Sequence, residues 1–244
     1  AFPHHENEIA QSEAANGVKF VNYWLHNGFI NVDNKKMSKS LGNFFTVREI
    51  EKHYDLQILR MFMLSAHYRS PINFSPESLS QAVAGVERLR NCKADLDFAA
   101  KTRVNDNANF DINKFKAELQ ELDKNFSDAM NNDFNTASAI GILFDVVYLI
   151  NTSLKENKFL PSEFFTLAKK ALDDYDEILG VIGRDDAETE HDDISAEIEK
   201  LIAERNEARK AKNFARSDEI RDTLKARGIV LEDTPQGTKW KREL

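Results

Sequence analysis

The chain has 244 residues, 41% of them hydrophobic, and carries 33 Lys or Arg against 41 Asp or Glu, for a net charge of −8. That is enough length and apolar content to bury a real core, as one large unit or two smaller ones. The single cysteine, Cys92, excludes an intrachain disulfide and fits a reducing, cytoplasmic setting, and no apolar run reads as a membrane span or a signal peptide.

The charge is uneven. Residues 195–244 hold twelve Lys or Arg against ten Asp or Glu, which leaves about −10 on the first 194. A weakly basic end on an acidic body permits a nucleic-acid partner without demanding one, because only the contacting surface must be positive. The sequence opens on Ala1-Phe2-Pro3-His4, without an initial Met, and reads as an entry into a longer fold.

Pro3 suits a first helical turn, and the run from His4 to Asn16 predicts a helix that Gly17 closes in a left-handed conformation. On it His4 and Glu8 stand at i, i+4 and share a face. An imidazole and a carboxylate so placed can share a zinc ion; taken alone, the pair is more commonly an ordinary contact on a polar helix. Lys19 to Asn27 predicts a second short helix, burying Phe20, Tyr23, Trp24 and Leu25 and ended by Gly28. Phe29 to Val32 is a brief strand-like run. It feeds Lys36-Met37-Ser38-Lys39-Ser40, whose small polar neighbours leave little apolar surface to bury, so the loop is expected to move.

Two ammonium groups on flexible stems suit a phosphate chain whose charge changes during reaction. Short Lys/Ser runs are also common on solvated surfaces. Helix, strand and phosphate-directed loop fit the last unit of a parallel α/β sheet, where ligands lie beyond the strand ends. Thr46 to Glu49 is a capping box opening one helix with apolar positions Ile50, Tyr54, Ile58, Met61, Phe62 and Leu64. His67-Tyr68-Arg69-Ser70-Pro71 breaks it.

Ser75 and Pro76 start a long helix to about Ala100. Further helices follow over Ile112 to Met130, from a cap in Asn132–Thr136, and over Ser162 to Leu179, ended by Gly180 or Gly183. Short connections make these an antiparallel bundle with Cys92 and the phenylalanines in its core. Residues 184–194 read as an acidic linker. Ser195 caps a helix to about Lys212, and Ala215 to Arg227 is another, stopped by Gly228. Ile229–Asp233 and Thr238–Arg242 form a hairpin around Thr234–Gly237. The expected fold is mostly α: the end of a Rossmann-like α/β domain (1–72), the bundle (73–183), the linker (184–194) and a helix-helix-hairpin module (195–244).

Several separated stretches resemble one family. Phe2 to Glu13 resembles the zinc-site helix of cysteinyl-tRNA synthetases. Lys36 to Asn43 resembles the second signature of class I aminoacyl-tRNA synthetases. Ala129 to Thr136 is similar to that family's bundle domain, of the DALR type, and Gly228 to Trp240 to its C-terminal tail. The likeness covers the full chain. It implies ATP-dependent activation of L-cysteine and transfer to cysteine tRNA. Lys39, with Lys36 as its partner, would contact the phosphates of ATP, with Mg²⁺.

The family's zinc is held by two cysteines, a histidine and a glutamate. His4 and Glu8 match the last two, while Cys92 matches neither cysteine. The cysteines and the first ATP signature belong to a part this sequence does not show, so the chain is expected to be an incomplete enzyme, acting as a monomer without a membrane. Arg209, Asp218, Asp233 and Trp240 are the expected contacts to the anticodon, with Arg242 on phosphate. A cysteine ligase acting on an amino sugar and a non-catalytic tRNA-binding fragment are the alternatives. The C-terminal module argues against the first, since a small-molecule ligase needs no anticodon reader.

Overall fold

The computed structural model describes residues 3–183, 191–234 and 237–242. Its first helix, α1 (His4–Asn16), ends as expected on Gly17, at φ +69°, whose N–H bonds to the Glu13 carbonyl. α1 buries none of its residues. The helix expected over 19–27 does not form. That stretch runs without regular structure and leaves Tyr23 83% exposed, with Phe20, Trp24 and Leu25 also exposed. Nine residues rich in aromatic and β-branched side chains are too few to hold a helix without a surface for the apolar side. The stretch is tied to α1 instead, by the Phe20 amide on Glu13 and by the Trp24 ring stacked on His5 at 4.4 Å.

Three short strands follow in the spatial order β2 (Lys35–Lys36), β1 (Ile30–Val32), β3 (Ile72–Phe74). β1 and β2 form a tight hairpin. Asp33 and Asn34 occupy the turn at φ +48° and +62°, the left-handed pair that a two-residue hairpin needs. β3, which three residues after Pro71 gave no periodicity to announce, pairs parallel with β1. The Asn73 side chain accepts the Asn34 amide at 2.7 Å and so ties the hairpin turn to β3.

The helix expected from Val47 to Leu64 is two helices, α2 (Val47–Ile50) and α3 (Leu56–Leu64). The Thr46–Glu49 capping box opens the first as read. The break comes from Asp55, whose carboxylate caps the Gln57 amide and pairs with Arg90 at 2.8 Å. A short acid that finds partners outside the helix competes with helix continuation.

The bundle matches its expected elements: α4 (Pro76–Thr102), α5 (Ile112–Asn131), α6 (Thr136–Glu156) and α7 (Ser162–Leu179). Leu89, Leu143, Val146, Val147, Ile150, Phe164 and Leu172 are all but sealed from solvent. Ile58, Met61 and Phe62 of α3 join the same core. By length and composition α6 is apolar enough to cross a membrane, contrary to the reading of the sequence alone, but its apolar residues supply the centre of this core.

Helix ends are closed by arginines from elsewhere in the chain. Arg103 donates to the Leu154 carbonyl in the last turn of α6 and to the Asn157 and Lys158 carbonyls just beyond it, Arg60 to Leu179 at the end of α7, and Arg90 to Ile182. A cation placed there meets both the orphan carbonyls and the negative end of the helix dipole.

Most of the linker expected at 184–194 lies outside the described residues. From His191 on it is already helical: α8 (His191–Lys210) starts four residues before the Ser195 cap. α9 (Phe214–Ala226) and the hairpin β4 (Ile229–Thr234), β5 (Gly237–Arg242) complete the chain. These last elements have their own small core of Ile198, Ile202, Ile220, Leu224 and Ile229. Leu143→Ala should lower stability by about 2–5 kcal/mol, since the close-packed bundle cannot fill the space. Urea unfolding followed by helix signal checks this.

Candidate functional site

The lysine loop is more ordered than its composition suggests. Lys36 ends β2, opposite Asn31. Ser38 is extended, and its hydroxyl accepts the Leu41 amide at 3.3 Å, starting a single 3₁₀ turn, Lys39–Leu41. Gly42 ends the turn at φ +68°. Asn43 then reaches back. Its carbonyl oxygen accepts the Ser38 amide at 2.9 Å and its amide donates to the Lys36 carbonyl at 3.2 Å. The loop satisfies its own backbone while both lysine side chains stay exposed. Lys39 Nζ lies 5.5 Å above the Phe44 ring, and among the described residues no carboxylate pairs with Lys36 or Lys39. Two uncompensated ammonium groups on a closed turn form an anion-directed feature.

The loop is anchored to the rest at both ends. Beyond it, Phe45 packs on Phe74 of β3 at 4.5 Å, and Phe74 packs on Phe62 of α3 at 5.5 Å. Before it, the Gly28 amide donates to the Tyr68 carbonyl at 2.6 Å. A Cβ at Gly28 would stand 2.3 Å from the Ser70 carbonyl oxygen, so the sequence expectation of a helix-ending glycine gives way to a close-approach glycine.

His4 and Glu8 are exposed, one turn apart on α1. They offer one nitrogen and one oxygen donor, against the four ligands of a structural zinc site. No group of three or more His, Cys, Asp or Glu that could hold a metal occurs among the described residues. Cys92 is no third ligand. It is buried in the bundle, and burial pushes its thiol up to about 12, away from the thiolate that binds metal. The donor set fits zinc in kind but not in number. His5, the neighbour, stacks on both Trp24 and His26.

In the C-terminal elements Arg209 and Asp233 come together at 2.5 Å. The sequence reading missed Arg205, one turn before Arg209 on α8. Its side chain is 7% exposed and grips both Asp233 oxygens at 2.8 Å. The Thr238 hydroxyl donates to the same carboxylate at 2.9 Å, with the Asn206 side-chain oxygen 3.2 Å away. The i, i+4 spacing of the two arginines was the available signal.

Asp233 is thus engaged within the fold rather than presented freely. Asp218 pairs on the surface with Arg221. Trp240 is half-buried opposite Leu231, against the small core. The Arg242 side chain lies outside the description.

Residues 1–84 match the family described as the tRNA synthetases class I (C) catalytic domain. Residues 125–183 match the DALR domain, and residues 191–240 the cysteinyl-tRNA ligase anticodon binding domain. The chain is 50% identical over 241 residues to the cysteine–tRNA ligase of Clostridioides difficile (strain 630), covering 99% of this chain and 50% of that protein. It is 49% identical to the enzyme of Caldicellulosiruptor saccharolyticus over the same shares. Among solved structures, the ternary complex of Agrobacterium radiobacter K84 agnB2 LeuRS with tRNA and LeuAMS matches with TM-score 0.53 and 16% identity, over 72% of this chain and 25% of that one. That likeness concerns the fold alone.

Along the chain, a lysine loop on a small mixed sheet is followed by a helical bundle and a helix-helix-hairpin module. The three matches, in this order along the chain, and the identity to cysteine–tRNA ligases make the chain similar to the C-terminal part of a cysteinyl-tRNA synthetase. It spans about half the length of the curated relatives it matches.

The arginines and Thr238 hold the Asp233 carboxyl well below the usual carboxylate range. A depressed folded value means stability that is present above the unfolded value of about 3.9 and lost as pH falls. Acidification below about pH 4 should therefore loosen the C-terminal hairpin, and Asp233→Asn should remove that dependence. The Trp240 indole signal followed by NMR against pH checks it.

Proposed function

We propose that this chain serves in the ATP-dependent joining of L-cysteine to its tRNA. The observation that carries the reading is the closed lysine loop with two unpaired ammonium groups, on a chain that also matches a cysteinyl-tRNA ligase anticodon-binding domain. The cysteine carboxylate attacks the α-phosphorus of ATP, and the bond to pyrophosphate breaks. Lys36 and Lys39 stabilise the charge gathering on the leaving phosphates, and a bound Mg²⁺ would add to that neutralisation. A ribose hydroxyl at the tRNA end then attacks the acyl carbon of the adenylate, and AMP leaves. The bundle braces the tRNA.

The last module meets the anticodon, where Arg209, Asp218 and Trp240 face unstacked bases, Arg242 faces phosphate, and Asp233 fixes the aim of Arg209. His4 and Glu8 would supply two of the four ligands of a zinc ion. Zinc favours soft sulfur and lowers a thiol pKa, which separates cysteine from serine. The protein acts as a cytoplasmic monomer. The match over residues 191–240 supports this reading over an amino-sugar ligase.

Lys39→Ala in the full-length protein should lower ATP–pyrophosphate exchange by about 10²–10³-fold with little change in cysteine affinity, the loss expected for one electrostatic contact to the transition state. Exchange at the wild-type rate would refute the loop's role. Glu8→Gln should reduce zinc content and weaken cysteine binding about 10-fold or more. Metal analysis and calorimetry on the same preparation check both, and unchanged values on each would end the zinc assignment.

A further inference from the structure

The corner between α5 and α6 has an unusual backbone. Asp133 and Phe134 are consecutive, neither is glycine, and both are left-handed, at φ +57° and +53°. The corner is closed by the Phe134 amide on Met130 and the Asn135 amide on Ala129, both at 3.1 Å. Residues with a Cβ hold such a conformation only where the surroundings over-determine it, and such positions cluster at functional sites. Here it turns the Asp133 carboxylate onto three consecutive residues of another segment. Arg69 Nε donates at 2.6 Å, the Tyr68 hydroxyl at 2.7 Å, and His67 Nε2 stands at 3.8 Å. Arg69 Nη2 adds a longer bond at 3.3 Å.

As a stabilising device this contact is poor. The side chains of Arg69 and Asp133 are 62% and 43% exposed, and exposed ion pairs contribute little. As a directional device it is well built. A carboxylate bonded by a guanidinium and a phenol has its orientation set, and its acidity is strengthened by both donors. What it orients is the strip leading to the lysine loop. The Tyr68 carbonyl accepts the Gly28 amide, and Gly28 lies against Ser70 without room for a Cβ. Four residues after Tyr68, β3 pairs with β1, and Asn73 holds the turn that leads into Lys36. The Phe45–Phe74–Phe62 contact keeps the far end of the loop near the bundle, but apolar contact is non-directional and leaves orientation open.

We infer that Asp133 is a positioning residue: it latches the α5–α6 corner to residues 67–69 and thereby sets the lysine loop relative to the bundle. The inference deepens the proposed function and rests on it for the meaning of the loop. The latch itself is geometric. Asp133→Asn keeps the shape and tolerates the left-handed backbone, while it removes the charge that Arg69 and Tyr68 bind.

The test is made on the full-length protein, with hydrogen exchange and ATP–pyrophosphate exchange read on one preparation. The Asn variant should exchange the amides of residues 36–43 faster while those of residues 143–150 in α6 stay as protected as before. Its kcat for ATP–pyrophosphate exchange should fall on the order of tenfold to a hundredfold, as for a misplaced catalytic group, with ATP KM nearly unchanged. Arg69→Met should do the same, and the double variant should be no worse than either single one, the mark of one shared interaction. If the Asn variant fails to fold, Arg69→Met carries the comparison with the corner intact. An active wild type whose Asn variant keeps its rate and its loop protection overturns the latch alone. Protection lost equally in α6 also overturns it, as a merely structural role. A wild type without exchange activity overturns the functional reading, and the positioning role with it.

Discussion

A parallel pairing of three residues with three, β1 with β3, joins the two kinds of structure in this chain. On one side of it stands the hairpin that carries the lysine loop. On the other stands the segment that enters the helical bundle at Ser75. So short a pairing would not hold by itself. It is supported by Gly28 lying directly on Ser70, by the Asn73 side chain on the hairpin turn, and by Phe74 packed between Phe45 and Phe62. Together these contacts give the internally closed lysine loop its place on the fold.

The bundle supplies the mass against which that small sheet is held. Its core is continuous with α3, so the helix following the loop segment is packed as firmly as the bundle helices themselves. Its ends are finished by long-range polar contacts. Arg60, Arg90 and Arg103 each bring a guanidinium to carbonyls that no helix bond satisfies, from positions 51 to 119 residues away in sequence. The last module solves the same problem at smaller scale. Five buried apolar residues make a thin core, and Arg205, buried under the hairpin, adds a two-point grip on Asp233. A charge so buried is tolerable only because it is paired.

Much of this was legible in the amino-acid order. The bundle helices, the left-handed Gly17, a glycine stop at 180 or 183, the Thr46–Glu49 capping box and the C-terminal hairpin follow from local rules: periodicity, caps and turn chemistry act within a few residues. The lysine loop and the His4–Glu8 pair were visible for the same reason. What escaped was whatever depends on a distant partner. Residues 19–27 have the composition of an amphipathic helix and no surface to fold against. Asp55 breaks a helix because Arg90 lies beside it in space. β3 is a strand only because β1 is there to pair with. Asp233, a candidate base reader in the sequence, is held by an arginine whose burial no local pattern reveals.

By itself the sequence determined the order of the bundle helices, the position of the lysine loop and the residue types it offers to phosphate. Those are properties of side chains and of backbone bonds closed within one turn. Tertiary structure alone decided which glycine serves close approach, which carboxylates are free and which are taken, and how the corner at Asp133 meets Arg69. Each of those is settled by atoms far apart along the chain, whose proximity is a consequence of packing and cannot be read before the core has formed.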